Sequence, residues 1–297
     1  MKALLRDLVE AGRFTRVSPY QRFAYVCGAL LLLSGLFHAG VYLVDRGPWA
    51  GPISWRKPVV FGLSFGLTLV TVAWVVGWLR MGKRAGWLLL GTLSVASVGE
   101  VFLISLQKWR GVESHFNEDT AFDAAVFSAM GSLVSLVGLI TVVITVWSFV
   151  RMETSASLAL AIRAGLVLML VSQGVGVQMI AEGGNTFGAA GALKLPHAVT
   201  LHAVQVLPAL ALVLSLSPAA ERHRTRTVAL AACGYGLLIT STMVQTYSGR
   251  APFDLGPAPV VLALGGLGVL AAAWWMALSG LGPRLLQPPT AAALGSP

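Results

Sequence analysis

The sequence predicts an all-α integral membrane protein, a bundle of about eight transmembrane helices with N-terminus and C-terminus both cytoplasmic. Three observations predict it. Of 297 residues, 56% are hydrophobic and 11% charged, with a mean hydropathy of +0.77. A water-soluble domain carries about 25% charged residues, so too few remain to cover a surface in water. Apolar runs of about 20 residues recur along the chain, the length that crosses a bilayer core at 1.5 Å per residue. The loops between them alternate between basic-rich and basic-poor, as a fixed orientation in the membrane requires.

Residues 1–23 read as a cytoplasmic basic amphipathic segment. Leu4, Leu5, Leu8 and Val9 line one side, and Lys2, Arg6 and Arg13 suit the segment to an anionic membrane surface. The apolar run from Ala24 to Val44 is too long for a signal-peptide core, and no small-x-small cleavage site closes it. It reads as the first of eight spans, at 24–44, 58–79, 86–107, 122–150, 158–181, 197–217, 227–247 and 258–280. The fourth is long enough to tilt. One transmembrane bundle then occupies 24–282. The connections are short and hold turn residues, as at Gly47-Pro48, Gly183-Gly184-Asn185 and Gly256-Pro257. Gly62, Gly66, Gly131, Ser135 and Gly138 read as places where helices approach closely. There is no internal repeat, and the Pro/Ala-rich stretch 283–297 reads as a disordered cytoplasmic tail.

With the N-terminus inside, Arg80, Lys83, Arg84, Arg151, Arg222, Arg224 and Arg226 fall in cytoplasmic loops, together with most of the other basic residues. This is the positive-inside distribution of a protein in the bacterial cytoplasmic (inner) membrane. It also accounts for the net charge of +9 without a nucleic-acid partner. Membrane lipids are the expected partners. The two cysteines, Cys27 and Cys233, lie in apolar runs and read as small buried residues.

Polar side chains gather at the predicted outer helix ends: His38, Glu100, Gln107, Asp123, Gln178, Glu182, His197, His202, Gln205 and Gln245. The outer loops add Trp55, Arg56, Lys57, Arg110, His115, Asn117, Asn185 and Lys194. Intramembrane ionisable groups cost several kcal/mol on insertion scales, so each asks for a partner or a role. Counting along the spans puts His38, Glu100 and His202 at one depth, about 8–11 Å below the outer boundary. Glu100, Leu103 and Gln107 share a helix face, and His197, His202 and Gln205 fall within an arc of about 140°. The bland reading of a lone membrane histidine is packing by hydrogen bonds between helices. Glu100 resists it, since a carboxylate there is paired, protonated or functional.

Three strings carry a resemblance: Trp55-Arg56-Lys57-Pro58 with Phe61 and Ser64; Glu100 to Gln107, then Arg110-Gly111, Ser114-His115-Phe116-Asn117, Thr120, Phe122 and Asp123; and His197 with Leu201-His202-Ala203-Val204-Gln205-Val206-Leu207-Pro208. With these RGxxSHFN-type and HxxxLHxxQVLP-type motifs the chain resembles a family of uncharacterised bacterial multi-pass membrane proteins. The resemblance covers about a third of the chain. It implies that the outer-face residues are a shared feature, and it brings no activity with it. In general plan the bundle is also similar to haem A synthases, although the histidine positions do not match.

The leading expectation is a membrane-embedded enzyme or a protein with a metal ion or haem cofactor, acting at the outer leaflet. Glu100 and His202 are its acid/base groups, and His115, His197, His202 and Asp123 its candidate metal ligands. Lys57, Arg110, Asn117, Gln107 and Gln205 would bind an anionic or lipid-like small molecule, with His38, Gln178 and Glu182 at the periphery. No HExxH or CxxC motif is present. The alternatives are a ligand-binding sensor or scaffold, and a proton-coupled transporter.

Overall fold

The structure, a computed structural model, describes Asp7, Glu10, Gly12 and residues 17–281. Most of the amphipathic segment expected over 1–23, and the tail 283–297, lie outside the described residues. Eight helices are long and apolar enough to cross a membrane. They are α1 Pro19–Asp45, α2 Arg56–Val76, α3 Lys83–Arg110, α4 Ala121–Val150, α5 Ala156–Ala181, α6 Lys194–Ser215, α7 Glu221–Tyr247 and α8 Pro257–Ser279. Each overlaps one of the apolar runs along the sequence, with different ends. α1 starts five residues before its apolar run because Ser18 caps it. The Ser18 side chain accepts from the Gln21 amide and the Gln21 side chain accepts from the Ser18 amide, with Pro19 in the first turn.

Two irregularities interrupt this regular pattern. α3 passes through a π-helical turn at Trp87–Gly91 before continuing as Thr92–Arg110. α6 breaks at His202 into Lys194–Leu201 and Ala203–Ser215. Pro208 lacks the N–H that would reach the Val204 carbonyl, and its ring crowds that carbonyl, which loosens the turn before it. A two-residue ladder, β1 Thr186–Phe187 with β2 Gly191–Ala192, folds the connection that precedes α6.

The chain forms two compact units, one from residues 17–153 and 169–186, the other from 154–168 and 187–281. In the first, α1 and α2 meet backbone to backbone. A Cβ added at Gly62 would lie 2.7 Å from the Gly35 amide nitrogen, and one at Gly66 would lie 2.8 Å from the Gly28 carbonyl oxygen. Small residues permit that approach, as they do between membrane helices. Gly131 does not share the role expected of it, since nothing lies within 4 Å of a Cβ built there.

In the second unit α7 and α8 repeat the device: a Cβ on Gly266 would lie 2.7 Å from the Gly234 carbonyl oxygen. The Tyr235 hydroxyl donates to Val199 O (2.6 Å) and the Ser241 hydroxyl to Pro259 O (2.7 Å), tying α7 to α6 and to α8. The Gln245 side-chain amide donates to Ala251 O and Asp254 O and so shapes the connection from α7 to α8. Arg250 clasps Asp254 there with two 3.1 Å hydrogen bonds, which hold the Asp254 carboxyl below the ordinary aspartate range.

Apolar side chains stand exposed along α1 (Leu30, Leu33, Phe37) and α8 (Val261, Leu264, Trp275). Such stripes are compatible with a multi-pass membrane protein, in which lipid is the solvent. Cys27 is buried as expected, but Cys233 is exposed, because its position on α7 turns outward.

Candidate functional site

The polar residues of the first unit collect at one end of it, where α1 and α3 finish and α2 and α4 begin. α3 closes with Gly111 in the left-handed conformation (φ 74°), its amide capping the last turn. Thr120 caps α4 and takes the Asp123 amide at 3.1 Å. These two ends fix a buried carboxylate. Asp123 accepts from Gln107 Nε2 (2.8 Å) and Arg110 Nη1 (2.5 Å) at Oδ1, and from the Thr120 hydroxyl (2.5 Å) at Oδ2. Arg110 also bonds the Gln107 side-chain oxygen and lies 4.6 Å over the Phe122 ring. Gln107, Arg110 and Asp123 are thus bound to one another, a structural clasp between α3 and α4.

Beside the clasp, the 111–120 loop brings a second group of expected residues together. Lys57 Nζ, in the first turn of α2, donates to Ser114 Oγ at 3.2 Å, and Ser114 Oγ lies 2.9 Å from His115 Nδ1. The His115 ring rests 5.7 Å from Phe61, and Phe61 stacks on Phe65 at 6.0 Å. Phe116 holds φ 59°, a conformation that a bulky side chain adopts only when its surroundings impose it. Its ring packs on Phe127 (5.2 Å). Asn117 is buried and serves the loop, donating to Glu113 O and accepting from the Asp119 amide.

His38 takes the packing role. Its Nδ1 lies 2.8 Å from Ser34 O and donates to it, and its Nε2 accepts from Trp109 Nε1 at 3.1 Å, so both ring nitrogens are used. Trp55 stacks close to both rings and donates to Asp45 Oδ2 at 2.5 Å, and Lys108 sits 4.2 Å over the Trp55 ring.

Glu100 differs from all of these. It lies on α3 two turns before Gln107, is 3% exposed, and its Oε2 has no hydrogen-bond partner among the described residues. Ser97 and Ile104, its neighbours along the helix face, are buried with it. Gln178 and Glu182 belong to the same unit, at the end of α5, where the Glu182 amide donates to Gln178 O and the Glu182 side chain is exposed.

In the second unit, His197 lies in the first half of α6 and His202 at its break. His202 Nδ1 is 3.3 Å from Gln205 Oε1, and the Gln205 amide nitrogen is buried with no partner.

Ser114, Thr120, Trp109 and Ser34 enter the site without having been expected in it. Thr120 was legible as a helix cap three residues before Asp123. His38, the partner of Trp109, and Lys57, one partner of Ser114, lie far away in sequence, and spacing carries no sign of either. Among the described residues, no group of three or more His, Cys, Asp and Glu is placed to hold a metal ion.

No protein family, curated protein or solved structure matches the chain.

Proposed function

We propose that this is a multi-pass protein of the bacterial cytoplasmic membrane that binds an anionic or lipid-like small molecule from the outer face and couples that binding to a proton on Glu100. The observation that carries this reading is the Glu100 carboxyl, 3% exposed with Oε2 unpartnered. A lone carboxylate in apolar surroundings is too costly to keep, so a proton or a ligand must answer it. Asp123, the other buried acid at this end among the described residues, does not compete for the role, because three donors hold it.

Glu100 then acts as the proton carrier. The Lys57–Ser114–His115 chain receives the negative charge of the ligand, since an ammonium donor and an imidazole share one hydroxyl there. In the other unit, His202 and Gln205 form a polar element of their own, with the Gln205 amide nitrogen buried and unpartnered among the described residues. This favours proton-coupled ligand binding over a metal or haem centre, because both Asp123 oxygens and His115 Nδ1, among the expected metal ligands, already hold hydrogen bonds.

The test is infrared spectroscopy of the purified full chain in lipid. A carbonyl band from a protonated, buried carboxyl is expected in the wild type and absent in Glu100→Gln. The band is expected to shift on adding phosphate or short-chain phosphatidic acid. A spectrum unchanged by Glu100→Gln would overturn the reading.

A further inference from the structure

At the far end of α4 from Asp123, the α2–α3 and α4–α5 connections are joined. Leu79 and Met152 form an antiparallel bridge, flanked by hydrogen bonds from the Arg80 amide to Arg151 O and from the Glu153 amide to Trp78 O, each 2.9 Å. The Trp147 indole donates to Arg80 O at 3.1 Å. This sets Arg80 and Arg151 opposite each other, where like charges repel. Only one of them is answered: Arg80 pairs with Glu153, while the Arg151 side chain has no partner among the described residues.

Both arginines rim a groove of ≈ 660 Å³ that runs along α4. Its wall is apolar. Val142, Val146 and Val150 recur every four residues, about 12 Å along the helix, and all three are exposed. Trp147 lines the groove too, an amphipathic ring of the kind found at the membrane interface.

We infer that this groove seats one anionic phospholipid, its phosphate on Arg151 and Arg80 and an acyl chain along Val142, Val146 and Val150. A free anion would use the arginines and leave the valine wall idle. A neutral lipid would fill the wall and leave Arg151 unanswered. The combination of a cationic rim with an apolar wall two turns long fits a molecule that is both charged and acylated. The inference takes from the proposed function only that α4 lies in a bilayer, and it stands or falls independently of Glu100.

Native mass spectrometry of the full chain, released from nanodiscs of mixed phosphatidylglycerol and phosphatidylcholine, tests it. The wild type retains phosphatidylglycerol in preference to phosphatidylcholine. Arg151→Gln weakens that retention about tenfold, the effect of losing one charge-assisted contact. Val146→Trp fills the groove with both arginines in place and also abolishes retention. Val146 is 59% exposed, so this variant keeps the wild-type melting temperature. Equal retention of the two lipids by the wild type would overturn the inference, as would wild-type retention by Val146→Trp. Displacement of the lipid by an equal concentration of glycerol phosphate would assign the arginines to free anions instead, and would overturn it too.

Discussion

Arg110 reaches across the loop between α3 and α4 to place Nη1 2.5 Å from Oδ1 of Asp123, a carboxylate almost wholly withdrawn from solvent. The contact closes the helix hairpin that carries the 111–120 loop, and so positions Ser114 and His115. Gln107 and Thr120 complete it from the two helix ends.

Asp123→Asn and Arg110→Gln should each lower the melting temperature of the purified protein. The double variant should lose less than the sum of the two, since each single change already breaks the contact that the other would remove. Additive losses in that cycle would show that the two side chains do not act as a pair.

His38 should behave as a packing residue. His38→Ala removes the partner of Trp109 Nε1 and a link to Ser34 O, at about 0.5–1.5 kcal/mol per hydrogen bond. Stability should fall and the tryptophan emission should shift, while the Glu100 carbonyl band stays in place. Loss of that band in His38→Ala would mean that His38 belongs to the proton site after all.

The glycines of the first unit separate into two kinds. Gly62→Ala drives a Cβ to 2.7 Å from the Gly35 nitrogen and should destabilise by about 1–3 kcal/mol or more, the usual effect of overpacking. Gly131→Ala meets open space and should be neutral or slightly stabilising through helix propensity. Chemical denaturation of the two variants side by side decides it, and equal effects would contradict the α1–α2 contact described above.

How much of this was legible in the sequence depends on the distance over which each interaction acts. The eight helices were legible because length and apolar composition are properties that any window of the chain displays. Glu100 stood out because a carboxyl in an apolar run has no ordinary explanation. Thr120 was legible as a cap. The His38–Trp109 bond joins residues 71 apart, and the Lys57–Ser114 bond residues 57 apart, and no local pattern announces either. The break at His202 was hidden for a different reason: hydropathy weighs side chains, whereas Pro208 acts on backbone hydrogen bonds.

The α7–α8 connection should respond to pH through Asp254. Its carboxyl is held below the ordinary range by the Arg250 hydrogen bonds, so the stabilisation is present at neutral pH and is lost as pH falls through the lowered value. Phe253, 97% exposed, sits beside that clasp. At neutral pH, Arg250→Gln or Asp254→Asn should speed chymotrypsin cleavage after Phe253 relative to the wild type. Unchanged cleavage in both variants would show that Gln245 alone holds the connection.

The most direct measurement for the central claim is the melting temperature of Glu100→Leu beside that of Glu100→Gln in the same lipid. If Glu100 is an unanswered carboxyl retained for proton-coupled binding, replacing it with an apolar side chain of similar size removes an uncompensated polar group. Glu100→Leu should then be the more stable protein, by about 1–3 kcal/mol, and should lack the infrared carbonyl band. A fall in melting temperature on Glu100→Leu would contradict the account, since it would mean that the carboxyl is a structural member of the helix packing.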